Sequence, residues 1–70
     1  MTAREWIDAF AAEVGTEPPG DEDIDAILKL AAVAAHSSER IAAPVACWIA
    51  GTMGIPFDRA LELAEQIETA

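Results

Sequence analysis

Seventeen consecutive residues, 41–57, read IAAPVACWIAGTMGIPF and contain no Asp, Glu, Lys or Arg. The whole chain has 70 residues and a formal charge of −9. A charge-free run in so acidic a chain calls for cover. Pro44 fits the first turn of a helix but not its interior, and Gly54 fits a helix end. The run therefore predicts a core helix, helix 3, over about residues 44–53. Val45, Cys47, Trp48, Ile49 and Met53 lie around almost its whole circumference, the pattern of a helix buried on all sides. Gly51 costs roughly 1 kcal/mol against alanine inside a helix, so it marks a close helix crossing.

Three further helices flank this run. Thr2 and Glu5 have capping-box spacing, in which each side chain bonds the other's backbone N–H. Trp6, Ile7, Phe10 and Val14 then recur at helical spacing, and Gly15 is placed to end the helix in a left-handed turn. Pro18 and Pro19 forbid helix between 16 and 20. That length suits a turn between antiparallel neighbours. Asp21, Glu22, Asp23 and Asp25 crowd the start of helix 2, where anions offset the helix dipole and Asp21 or Asp23 can cap free N–H groups. Ile24, Ile27, Leu28, Leu30, Ala31, Val33, Ala34 and Ala35 follow, and the helix should end between His36 and Ser38. Pro56 suits the first position of helix 4, whose stripe is Phe57, Ala60, Leu61, Ala64 and Ile67.

Sixteen alanines, no tyrosine and no alternating β-branched run leave no expected strand. The expected fold is all-α, a single domain over residues 1–70, arranged as a compact four-helix bundle or an orthogonal helical array with helix 3 central. A domain this small buries only about 60% of its unfolded surface. One cysteine and one histidine supply neither an internal disulfide nor a structural zinc site.

Charge excludes several roles. Nucleic acids are gripped first through phosphates. Four scattered cations, Arg4, Lys29, Arg40 and Arg59, under a strong negative field do not supply that grip, nor do they suit an anionic membrane surface. The field favours a basic partner surface. The 41–57 run is broken by Pro44, Gly51, Gly54 and Pro56 and falls short of the roughly 20 apolar residues of a span. The start, MTAREWIDAF, lacks an apolar signal region. The expected location is the cytoplasm, where a lone thiol stays reduced.

No catalytic constellation emerges. A calcium loop starting at Asp21 needs Gly at position 6 and Glu at position 12, and Ala26 and Ala32 stand there. His36 and Glu39 could share a metal or proton, but a histidine near a helix C-terminus suits the dipole without either. Cys47 could be a nucleophile near a helix start, yet its apolar neighbours make it a small buried hydrophobe. Trp6 and Trp48 read first as core, with Trp6 the more apt to show an edge. Ser37 and Ser38 lie in no nucleophile elbow, and no glycine-rich phosphate loop occurs. The expectation is no enzyme activity, no cofactor and no metal. The polar cluster His36, Ser38, Glu39 and Arg40 interrupts the apolar centre. Because loops carry function more often than packed faces, it is the candidate interaction surface.

Several stretches together resemble a known family: W-I-D-A-F-A-A-E-V-G at 6–15, L-x-L-A-x-x-A-A-H ending at His36, and E-R-I-A-A-P-V at 39–45. A small-residue apolar helix through Gly51 follows. The chain resembles a small actinobacterial all-helical domain family of unknown function. Its members occur alone or appended to molybdenum-cofactor guanylyltransferase-like proteins. The resemblance covers most of the chain and is strongest from Ile24 to Gly51. It implies a helical fold, a link to molybdenum-cofactor biosynthesis and a guanylyltransferase-like partner. It brings no catalytic residues, and the glycine-rich phosphate signature of that partner is absent. Three readings follow: a non-enzymatic helical interaction or accessory module, a homo-oligomeric structural domain, or a small-ligand protein with a pocket of Trp48, Met53 and Phe57.

Overall fold

A computed structural model describes residues 1–69. Four helices run in order: α1 Ala3–Val14, α2 Asp21–Ser37, α3 Ala42–Met53 and α4 Phe57–Glu68. No strand occurs among the described residues, and the fold is an all-α helical array.

The local signals explain the boundaries. Thr2 and Glu5 close the capping box: Thr2 N donates to Glu5 Oε1 at 2.8 Å and Glu5 N to Thr2 Oγ1 at 3.1 Å. Gly15 takes φ 93° and donates to the Ala11 carbonyl at 2.9 Å. Only glycine adopts that left-handed conformation without a Cβ penalty. Gly54 ends α3 in the same way at φ 69°. Ala42 and Ala43 donate back to the Glu39 and Arg40 carbonyls at 3.0 and 3.2 Å, which starts α3 two residues before Pro44. Pro44 thus falls in the first turn, where its missing N–H leaves no gap.

Two expected caps differ. Gly20, not Asp21 or Asp23, is the N-cap of α2, and no side chain caps it. Asp21 already has helical backbone, and its carboxylate meets Arg4 at 3.4 Å instead. Pro56 sits one place outside α4, as its N-cap, with ψ 142°.

α2 is the element on which both α3 and α4 pack. The core they share is Leu30 of α2, Ala50 of α3 and Ala60 of α4, with Cys47, Ile55, Phe57 and Ala64 partly buried against it. Phe57 shares a hollow with Glu22, Asp23 and Ala26 of α2, and Leu61 and Glu65 share another with Lys29, Ala32 and Val33. α4 therefore runs in the same direction as α2, and α3 serves as the crossover.

The central position expected for helix 3 belongs to α2. α3 meets α2 through its small side, Ala46, Cys47 and Ala50. Its large side chains point away: Trp48 is 68% exposed and Met53 69%, and Val45 and Ile49 are also exposed. The apolar circumference predicts burial on all sides, but only the Ala46, Cys47 and Ala50 side has cover in this chain. Gly51 marks no crossing either: a Cβ there would meet nothing within 4 Å.

α1 packs on none of the others as closely as α3 and α4 pack on α2. Residues 16–20 span at most about 18 Å extended, and α1 rises roughly the same distance from Arg4 to Gly15. Arg4 Nη1 nevertheless donates to the Pro19 carbonyl at 2.9 Å. The strap must therefore run straight back along α1. Ala11 is buried and Ile7, Pro18 and Pro19 are half-buried, while Trp6, Phe10 and Val14 are exposed. The Trp6 and Phe10 rings stack at 5.1 Å. The molecule is elongated, 39 × 23 × 18 Å, with a radius of gyration of 12.7 Å against about 11 Å for a compact chain of this length.

The capping box gives α1 its own sensitivity. The Thr2 backbone N–H, helped by the Thr2 side chain, holds the Glu5 carboxyl below its ordinary 4.5. A carboxyl lowered in the fold contributes its stability above the ordinary value and loses it as pH falls through the lowered one. Amide exchange across Trp6–Phe10, relative to the intrinsic rate, should therefore accelerate as pH falls below the carboxyl's ordinary 4.5, before α2 responds. Thr2→Ala should speed the same amides at neutral pH by about 1 kcal/mol of lost capping. Unchanged protection in α1 would refute both.

Candidate functional site

The polar turn between α2 and α3 is shaped by two serines. Ser37 Oγ donates to the Val33 carbonyl and Ser38 Oγ to the Ala34 carbonyl, each at 2.6 Å. Each hydroxyl bonds back to the carbonyl one turn earlier, as serines near a helix end do, and so competes with the helix ladder there. Ser38 has backbone angles of φ −146° and ψ −105°, so the chain turns sharply there. The Glu39 and Arg40 carbonyls then receive the first N–H groups of α3.

The candidate residues His36, Ser38, Glu39 and Arg40 are all exposed. The structure brings them to one end of the molecule. It joins them to apolar residues that the pattern of helix 3 assigns to the core. Ser38 and Glu39 line an open hollow of ≈ 630 Å³ together with Ile41, Ala42 and Val45. At helical spacing Ile41, Val45, Trp48 and Ile49 continue from it as one apolar ridge along α3. Trp48 and Ile49 are thus surface residues, not core.

Trp48→Ala puts this placement to the test. Buried, the indole would be worth about 3–5 kcal/mol; exposed as it is, its loss should move stability by no more than about 0.5 kcal/mol. A thermal melt of the dilute protein decides, and a collapse of the transition would return Trp48 to the core.

The expected pocket of Trp48, Met53 and Phe57 is not assembled. Phe57 turns into a hollow with Pro19 and the start of α2, while Trp48 and Met53 face outward. Among the described residues, no three His, Cys, Asp or Glu side chains gather closely enough to hold a metal ion. Cys47 is half-buried, and its Sγ lies 3.8 Å from the Ile27 carbonyl. Burial pushes the thiol above its ordinary 9.0. The thiolate is the reactive form, so alkylation by iodoacetamide at mildly alkaline pH should lag behind free cysteine. Reaction as fast as the free thiol would show an activated site.

A second hollow is almost wholly apolar. It lies between α3 and α4, with Leu30, Ala50 and Ala60 at its base and Ala46, Ile49, Leu63 and Ile67 at its sides, and measures ≈ 230 Å³. It exists because α3 and α4 each pack on α2 more than on each other. The sequence signals only that some apolar surface stays uncovered, since four helices offer more of it than a chain this short can bury against itself; it does not say where.

Polar groups are thus spread singly, and apolar surface is gathered in a ridge and a groove. The fold is that of a small all-α domain. The family model for a domain of unknown function, DUF6457, matches residues 1–69, and the chain belongs to that family. No curated protein and no solved structure matches it. No helix among the described residues is long and apolar enough to cross a membrane.

Proposed function

We propose that this domain is a non-enzymatic docking module for a protein partner. The observation that carries the reading is the exposed ridge Ile41, Val45, Trp48 and Ile49, which adjoins the polar turn. Interfaces are anchored by aromatic and aliphatic side chains within a polar rim, and tryptophan is enriched among the anchors. Trp48 supplies the anchor here; His36, Ser38, Glu39 and Arg40 supply the rim. The formal charge of −9 selects a partner surface with basic flanks.

The resemblance to helical appendages of molybdenum-cofactor guanylyltransferase-like proteins supplies a partner to try. In this reading the domain is an accessory to molybdenum-cofactor biosynthesis in the cytoplasm of an actinobacterium and transfers no guanylyl group itself. Titration of the purified guanylyltransferase-like protein into the domain should give a saturable signal. Trp48→Ala should weaken it by at least about tenfold, the size of effect expected for a central anchor. No binding by the wild-type domain would reject this partner, and equal binding by Trp48→Ala would reject the ridge as the surface.

A further inference from the structure

The α1 stripe and the α3–α4 groove are both apolar, both open and belong to the same chain. They share no residue and do not meet. α1 is held away: the strap is spent running back along α1, and Arg4 ties its first turn to Pro19 and Asp21 at the start of α2. We infer that the groove receives α1 of a second copy, and that two copies exchange their α1 helices reciprocally across a two-fold axis.

Area supports this occupant. The chain exposes 5297 Å², about 1,100 Å² more than the roughly 4,200 Å² expected of a compact monomer of its mass. A stable interface of ordinary size takes about 800 Å² from each partner. The surplus is large enough to supply such an interface and still leave the Trp48 ridge exposed. The covered residues would be those that a monomer leaves wet: Trp6, Phe10 and Val14 on one side, Ile49, Leu63 and Ile67 on the other. The pieces also fit in kind. A cavity of about 150 Å³ accommodates a benzene ring, and the groove offers ≈ 230 Å³ to the stacked Trp6 and Phe10 rings. No charged residue lines the groove, so it does not select a basic peptide. It selects an uncharged helical stripe, and α1 carries one. A two-fold arrangement uses each contact twice and closes on itself, so it stops at a dimer.

Electrostatics sets a sign. Each copy carries −9, so like-charge repulsion opposes the pairing and salt screens it. Association should strengthen as salt is raised, the opposite of binding between oppositely charged surfaces.

This surface shares Ile49 with the ridge proposed above but not Trp48 or the polar turn, so variants at Trp6, Ile67 and Trp48 let the two readings fail independently. Sedimentation equilibrium of the full chain across the micromolar range is expected to give twice the 7.4 kDa chain mass. Trp6→Arg in the stripe and Ile67→Arg in the groove each alter an exposed residue, so each should keep its helical circular dichroism and sediment as a monomer. Trp48→Ala should dimerise like the wild type. Mixing the two arginine variants should restore a dimer, weaker than the wild type, because one intact stripe still meets one intact groove. A monomeric wild-type chain throughout that range overturns the inference. So does dimerisation that survives both variants. A mixture that stays monomeric would also overturn it, since α1-to-α1 or groove-to-groove pairing cannot be complemented.

Discussion

Leu30→Ala is expected to unfold much of the domain. Leu30 is 3% exposed and is the one large side chain among the four most buried hydrophobic residues, the others being Ala11, Ala50 and Ala60. It lies where α3 and α4 both reach α2. Truncating a buried leucine costs about 2–5 kcal/mol, the more so when the site cannot collapse. Here the neighbours are alanine methyl groups, which cannot grow into the gap. A chain of this length has roughly 3–10 kcal/mol of stability in total. The midpoint should fall by about 4–8 °C for each kcal/mol lost. Leu28→Ala is the control, because Leu28 is on the same helix and 61% exposed; it should shift stability by less than about 0.5 kcal/mol. Equal melting shifts for the two variants would mean that Leu30 does not join the helices.

Ala50→Glu should be comparably severe for a different reason. Ala50 is 3% exposed and brings α3 against Leu30. A longer side chain there overpacks the contact, at about 1–3 kcal/mol. A carboxylate adds the cost of an unpaired buried charge, which is larger still unless the group reaches water or takes up a proton. The expected result is loss of the cooperative transition at neutral pH, with partial recovery at acidic pH as the carboxyl protonates. Thr52→Glu, on the exposed side of α3, should melt within about 0.5 kcal/mol of the wild type. An unaffected Ala50→Glu variant would show that α3 does not pack on α2 through this residue.

The helices and their ends were legible because their causes are local. Thr2 with Glu5, Gly15, and Gly54 act through neighbours within a few residues, so reading along the chain finds them. Pro44 was legible for the same reason, since it restricts its own turn. The central element was not legible. An apolar circumference says that α3 avoids water but does not say what covers it. Ala46, Cys47 and Ala50 cover one side against α2; Trp48 and Met53 have no cover in this chain. Gly51 misled for a related reason, because close approach is a property of two helices and the sequence shows one. Of the site, the polar turn from His36 to Arg40 could be read directly. The ridge that adjoins it could not, since its exposure depends on how few large side chains α2 and α4 bring to meet it.

The parallel course of α2 and α4 bears on the order of assembly. Joining α3 to α2 closes a short loop, 38–41, whereas α4 can reach α2 only after α3 has crossed back. Loop closure is an entropic barrier that grows with the length enclosed, and local contacts form first. The α2–α3 pair should therefore be the nucleus, with α4 docking late. A destabilising change at Ala60, such as Ala60→Gly, should then act mainly by hastening unfolding, while Ala50→Gly should slow folding. Stopped-flow rates that reverse this pattern would put α4 in the nucleus.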